Sequence, residues 1–332
     1  MAAQLEEAPV VPIRDAGAAE TAGIEDSGPQ AAAIETEPQQ KADVANSEPD
    51  PNTVGDTATN AHAGLSWPET APDHPLTKFY DVFEDVVKEA QYDEVFGVHL
   101  TKHDSFHTRL VLQKFLRANQ NDVAKARQQL LDTLKWRKEF DPRKAAGETF
   151  DKTRFGGLGY VLEVKGVPDS KNAKDIATFN IYGAVQDKKA TFGDLQGFLR
   201  WRVGLMEKSV QKLNLASATA PIPDFGQGPD PYQGFQIHDY LQVSFLRQDP
   251  AVKAATAKTI EVLGRYYPET LSRKFFVNVP VIMGWMYTAA KLIVAKETAK
   301  KFAVLSYGNQ LAGELGNEVW SAIYCYCRWY SY

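Results

Sequence analysis

The chain has 332 residues and a net charge of -5 at pH 7, unevenly distributed. Residues 1–75 hold 14 acidic side chains against Arg14 and Lys41, a net of -12 with Trp67 as their one aromatic, so residues 76–332 carry +7. The lack of a secretory signal or of an apolar run of ~20 residues argues against a secreted or membrane-spanning chain, and Cys325 and Cys327 alone cannot build a disulfide framework or a four-cysteine zinc site.

Residues 1–75 are too acidic and too poor in apolar side chains to offset the entropy of ordering. They are expected to be a disordered tail whose removal up to residue 72 leaves stability unchanged. The pattern changes at His74-Pro75-Leu76. Leu76, Phe79, Tyr80, Phe83, Val86 and Val87 recur at helical spacing and predict an amphipathic helix over 76–90. A second is predicted over 105–119, with Phe106, Leu110, Leu112, Phe115 and Leu116. Asp122 is a candidate N-cap for a third, which runs to Phe140 and stops at Asp141-Pro142. Residues 76–150 thus read as a helical lobe.

From Phe155 onward strands and helices alternate. Strands are predicted over 160–164, 177–185, 235–246, 275–279 and 302–306, and helices over 191–215, 250–267 and 285–300. This alternation implies an α/β fold with a mostly parallel sheet covered by helices.

Two features break the pattern. The strand over 235–246 has an apolar face, whereas its other face carries Gln236, His238, Tyr240, Gln242 and Ser244. His238 and Tyr240 would point the same way, their α-carbons roughly 6–7 Å apart. That face is turned either to water and loops or to a ligand, as the floor of a pocket. On the helix over 191–215, Arg202 lies on the apolar stripe of Phe198, Leu199, Leu205, Met206 and Val210. A buried unpaired arginine is costly. Arg202 therefore needs an anion, from a protein carboxylate or from a ligand.

Other chemistry is weakly signalled. His99, His103 and His107 have no Glu or Cys to complete a metal set, and Cys325-x-Cys327 alone does not close a zinc site. Neither Gly156-Gly157-Leu158-Gly159 nor Gly226-Gln227-Gly228 has the strand-before, helix-after setting of a phosphate loop. A charge of +7 suits an anionic partner but is too mild for nucleic acid. There is no nucleophile elbow and no His-Glu-x-x-His, so no enzyme is expected.

Lys114-Phe-Leu-Arg-Ala118, Leu134-Lys-Trp-Arg137, Tyr266-Tyr-Pro-Glu269, Val277-Asn-Val-Pro280 and Glu297-Thr-Ala-Lys-Lys-Phe302 occur in this order. Together they resemble the CRAL-TRIO lipid-binding family of fungal phosphatidylinositol-transfer proteins over roughly 78–310. The resemblance implies a helical lobe and a CRAL-TRIO lobe at 155–310, whose sheet floors an apolar pocket. It also implies a gating helix near Gly284 to Val294, and leaves 311–332 as an atypical tail. The phosphatidylinositol headgroup would be held by Arg117, Glu269, Thr298 and Lys301, with transient contact to a membrane surface. The protein would be cytoplasmic, with peripheral association to endoplasmic reticulum or plasma membrane.

Phe198-Leu-Arg-Trp-Arg-Val-Gly-Leu-Met-Glu-Lys208, Gln236-Ile-His-Asp-Tyr240 and Lys274-Phe-Phe-Val-Asn-Val-Pro280 are similar to one divergent branch, the fungal phosphatidylinositol-transfer proteins that bind haem. That likeness implies ferric haem b with Tyr240 as axial iron ligand, His238 beside it, and Arg202 and Lys274 near the haem. The two cations would hold the propionates or lower the tyrosine pKa. Phenolate, a hard anionic ligand, favours ferric iron. Asn119 stands where that branch has a tyrosine, and the loop Ala216 to Gly234 is longer than its norm. The expected function is phosphatidylinositol transfer with haem binding, in phosphoinositide homeostasis and haem-linked or oxidant response. The alternatives are a haem-dependent peroxide-handling enzyme, or a haem sensor or store without lipid transfer.

Overall fold

Pro75 at the first helical turn, and the His74 ring accepting from the Leu76 amide, start α1 (Pro75–Ala90). A two-stranded hairpin follows, β1 (Glu94–Val95) and β2 (Val98–His99), turned by Gly97 at φ +85°. Asp104 caps α2 (Ser105–Ala118), and Asp122 caps α3 (Val123–Phe140) through the Lys125 amide. The three predicted helices are thus present within two residues. The hairpin, α4 (Pro142–Gly147) and α5 (Lys152–Phe155) were not foreseen, because each is too short to show a period. The structure, a computed structural model, describes residues 65–243, 249–280 and 296–316.

The order begins earlier than position 75. Leu65 and Trp67 pack on the core of the helical lobe, with the Trp67 ring 5.5 Å from Phe106. Thr77 Oγ1 donates to the Ala71 carbonyl. A lone aromatic in an acidic tract suffices because the lobe offers it an apolar partner. Trp67→Ala should therefore cost ~1–2 kcal/mol, roughly 2–6 °C in Tm for a domain of this size. Thermal unfolding followed by circular dichroism checks this; an unchanged Tm would make the contact incidental.

After α5 come β3 (Gly159–Val164) and β4 (Asp175–Ile181), paired antiparallel. Then come a 3₁₀ turn at Tyr182–Ala184, α6 (Lys188–Phe192), α7 (Leu195–Leu213), β5 (Gly234–Asp239), α8 (Pro250–Tyr266) and β6 (Leu271–Val277). A short helix, Lys296–Lys300, leads into β7 (Phe302–Leu305). The five strands lie in chain order, and every pair after the first is parallel. The fold is α/β with a helical N-terminal part and a mostly parallel sheet. The proposed gating helix, Gly284 to Val294, lies outside the described residues.

Two strand expectations need correction, and the first of these strands, expected over 177–185, ends at Ile181. The strand predicted over 235–246 ends at Asp239. Asp239 accepts from the Leu241 amide, Val243 N–H donates to the Tyr240 carbonyl, and Gln242 takes φ +66°. These local bonds turn the chain out of the sheet, and polar alternation past that point imitated a strand.

α7 joins the two parts. Val203, Met206 and Val210 belong to the same core as Phe79, Phe115 and Leu134. Gly204 lets α7 approach α4 closely: a Cβ there would sit 2.6 Å from the Ala145 carbonyl oxygen. Arg137 is fully buried and bonds both Glu94 and Glu207, with Arg137–Glu207 at 2.7 Å and the Tyr267 hydroxyl donating to Glu207 at 2.8 Å.

Candidate functional site

Parallel register puts side chains of neighbouring strands in rows. On one face of the sheet the first row is Thr178, Gln236, Lys274 and Phe302. The second row on that face is Asn180, His238, Phe276 and Val304. The opposite face, with Ala177, Phe179, Phe235, Ile237, Phe275 and Val277, is an apolar core closed by Leu311 and Leu315. α7 covers the first face: Thr178 Oγ1 donates to Ser209 Oγ at 2.8 Å, and the Gln236 amide meets Met206 Sδ at 3.5 Å. One turn before Met206 on the same helix stands Arg202.

The groups around Arg202 are ill matched for a dry interior. Arg202 is fully buried, and none of its three guanidinium nitrogens has a hydrogen-bond partner among the described residues. His238 Nε2 is in the same condition. Lys274 Nζ lies 5.3 Å from the Phe276 ring centre and 5.7 Å from that of Phe302. Burial, and secondarily Arg202, press the Lys274 ammonium down to about 7. Burial first, then Lys274 and Arg202, hold His238 well below the usual histidine range, so its imidazole is neutral at pH 7. Arg202 thus meets no carboxylate among the described residues, and the protein-carboxylate alternative for its partner finds no support there.

Tyr240 is placed by backbone. Its amide donates to the Val277 carbonyl at 3.0 Å, carrying β5 one bond past its end. Asp239, which faces the other way, takes the Asn278 amide at 2.7 Å and pins the turn. Gly183 has no side chain to block the Leu241 backbone, so Tyr182 comes within 5.6 Å of Tyr240 and 5.4 Å of His238, ring centre to ring centre. The Tyr240 and His238 rings are 6.5 Å apart, and Phe276 stacks on Tyr240 at 6.3 Å. Burial, then Tyr182, raise the Tyr240 hydroxyl above the ordinary phenol range; Arg202 opposes them. The nearby cation therefore does not by itself make a phenolate.

The four residues expected to hold a headgroup fall in a second place, near the C-terminal end of α8. Glu269 takes φ +51°, and its carboxylate accepts from Gln233 at 2.8 Å and meets Arg117 Nε and Lys301 Nζ at 3.5 Å each. Thr298 is on the turn before Lys301, whose amide donates to the Thr298 carbonyl. Arg117 also donates to the carbonyls of Pro223, Asp224 and Gly228, so much of its guanidinium is taken by the long loop. Lys114 is fully buried and ties Asp230, the Tyr232 carbonyl and the Glu269 carbonyl together within 2.9 Å. Lys114, Gln233 and the aromatic Tyr182 were missed by sequence reasoning; only the first had a signal, in Lys114-Phe-Leu-Arg-Ala118.

The three histidines do not converge. His99 pairs with Asp93, whereas buried His107 meets Asp104 and the Ala218 carbonyl. Among the described residues no helix is long and apolar enough to cross a membrane.

Comparison with known proteins agrees with this architecture. The CRAL/TRIO N-terminal domain profile matches residues 75–132, and the CRAL/TRIO domain profile matches 187–321. Over 256 residues the chain is 84% identical to the phosphatidylinositol transfer protein SFH5 of Phaeosphaeria nodorum, covering 77% of each. It is 48% identical to that of Sclerotinia sclerotiorum over 80% of this chain and 61% of the relative. The crystal structure of Sfh5 superposes with a TM-score of 0.64 at 30% identity, over 76% of this chain and 85% of the other. With both profiles in order and a relative so similar over most of its length, the chain belongs to the CRAL/TRIO family, on the branch of the Sfh5 proteins.

Proposed function

We propose that this protein binds and transfers phosphatidylinositol and also holds haem b, with Tyr240 as the iron ligand. The observation that carries the haem reading is the buried, unpartnered guanidinium of Arg202 beside Lys274, His238 and Tyr240. A flat apolar ring with two propionates and a ferric centre matches that set: cations for carboxylates, a phenol for iron, and aromatic rings Tyr182 and Phe276 for the macrocycle. When bound, the haem supplies a ferric Lewis-acid and redox centre. Arg202 and Lys274 hold the carboxylates, and an anion there restores the proton that Lys274 gives up near neutral pH. His238 stays neutral beside the ligand. Because the Tyr240 phenol keeps its proton when only protein surrounds it, ligation must expel that proton. Peroxide cleavage would further require an acid or base placed to act on the peroxide, and the buried, neutral His238 beside Tyr240 is a poor candidate for it. A carrier or sensor is therefore the reading preferred over an enzyme. Absorbance of freshly purified protein, followed by mass spectrometry of extracted lipid, tests both ligands at once.

The lipid reading rests on the named relatives and on the cluster of Glu269, Arg117, Lys301 and Thr298. Glu and Thr suit inositol hydroxyls, and Lys and Arg suit the phosphodiester. Glu269→Ala with Lys301→Ala should reduce phosphatidylinositol transfer between vesicles by at least roughly tenfold, leaving haem content intact. Undiminished transfer in that double variant would remove the headgroup assignment. The protein on this reading works in the cytoplasm and touches endoplasmic reticulum or plasma membrane transiently.

A further inference from the structure

Asn180 is the residue that neither the sequence nor the family likeness singles out. It sits on β4 directly across from His238, on the face covered by α7. It is fully buried, and among the described residues neither its amide nitrogen nor its amide oxygen has a hydrogen-bond partner. The large majority of buried side-chain polar atoms are paired. Here Asn180 Nδ2 and Oδ1, His238 Nε2 and the three Arg202 nitrogens are all unpaired. Asparagine is also a poor strand former, so β-structure gives no reason for it. The neighbouring Thr178, one row away on the same face, does find a partner in Ser209. Gln113, Asn121, Arg154 and Ser272 each leave one buried side-chain atom unpaired, whereas Asn180, His238 and Arg202 together leave six.

We propose that Asn180 is a ligand-binding residue, its side-chain amide completing with Arg202 a receptor for a carboxylate of the bound ligand. This rests on the haem reading above for the identity of the ligand, but only its carboxylates are required. An amide is a fitting third group. Its N–H donates to a carboxylate oxygen, and its oxygen can accept from the neutral His238 ring. Being uncharged, it adds a hydrogen bond without cancelling the charge of Arg202. An aspartate of the same shape would instead pair with Arg202 and repel the ligand's anion.

Metal-free protoporphyrin IX, which keeps both propionates and needs no iron ligand, separates this proposal from the assignment of Tyr240. Its dimethyl ester keeps the ring and removes the charges. Fluorescence titration of the full chain should show the free acid bound more tightly than the ester by about tenfold or more. Asn180→Leu should lose most of that preference while its Tm stays at or above the parent's, which shows that it folds. Asn180→Asp should weaken the free acid further and leave the ester unchanged. If both variants keep the parent's preference, a bridging water satisfies Asn180 and the proposal is wrong. No saturable binding of the free acid by the parent overturns it as well. An unchanged haem spectrum in Tyr240→Phe would remove the iron assignment and leave the Asn180 result standing.

Discussion

Tyr240→Phe protein is expected to purify with little haem and without the charge-transfer band of a phenolate-ligated ferric iron. The substitution removes one oxygen and keeps the ring, so the stack on Phe276 and the approach of Tyr182 are retained. The backbone bonds from Tyr240 to Val277 and from Val243 to Tyr240 do not involve the side chain. The fold should therefore survive. His238→Ala should alter the spectrum less, since its imidazole stands beside the ligand. Reduction to ferrous iron should loosen the bond, a less charged metal holding an anionic oxygen more weakly. A Tyr240→Phe protein with the parent's spectrum and occupancy would make His238 the next residue to test.

Arg202→Met should also lose ligand, and should give a clearly more stable protein. Three unpaired guanidinium nitrogens in the interior cost on the order of 2–4 kcal/mol. A methionine fills similar volume and leaves no polar atom behind. The ligand-stripped variant should melt roughly 4–12 °C above the stripped parent, and bind haem far more weakly. The variant should also change the pH response. In the parent, Lys274 has a folded pKa of about 7 against an ordinary value of 10.5. Between those values the unfolded chain binds a proton that the folded chain does not, so stability rises with pH over that window and the penalty is complete below about 7. Removing Arg202 raises the folded pKa of Lys274 and shortens the window from below. Tm measured from pH 6 to 10 on both stripped proteins gives this difference; a lower Tm for Arg202→Met at every pH would show that Arg202 has a protein partner after all.

How much of this was readable beforehand differs by residue. Arg202 stood out because a charge on an apolar helical stripe is a local anomaly. Asp122 was visible as a cap for the same reason, since capping is decided within four residues. Tyr240 was placed on the right face for an incomplete reason. It follows the strand by one residue and is oriented by Asp239, Asn278 and Gly183, and only the first of these is near it in sequence. Asn180 was not legible. The run from Ala177 to Val185 shows no clear alternation, and the side of the sheet that Asn180 faces depends on its register with a strand almost 60 residues later. The proposed headgroup residues came from likeness alone, because Glu269, Arg117 and Lys301 are joined by no periodicity. The packing of Trp67 was not visible because its partner, Phe106, comes from α2 nearly forty residues later.

The ion cluster of Arg137, Glu94, Glu207 and Tyr267 bears on how this gene can be cut. Glu207 lies little more than one turn beyond Arg202 on α7, and its counter-charge comes from α3. A fragment starting near residue 150 would carry the whole ligand receptor, yet Glu207 would be stranded without Arg137, a loss of about 3–5 kcal/mol for a broken buried pair. The apolar side of α7 would face water at the same time. Grafting the receptor into another protein, or exchanging it between relatives, therefore has to take α3 and the hairpin with it. The unit of engineering is the whole of both lobes, although the change of pattern near Phe155 suggests a seam.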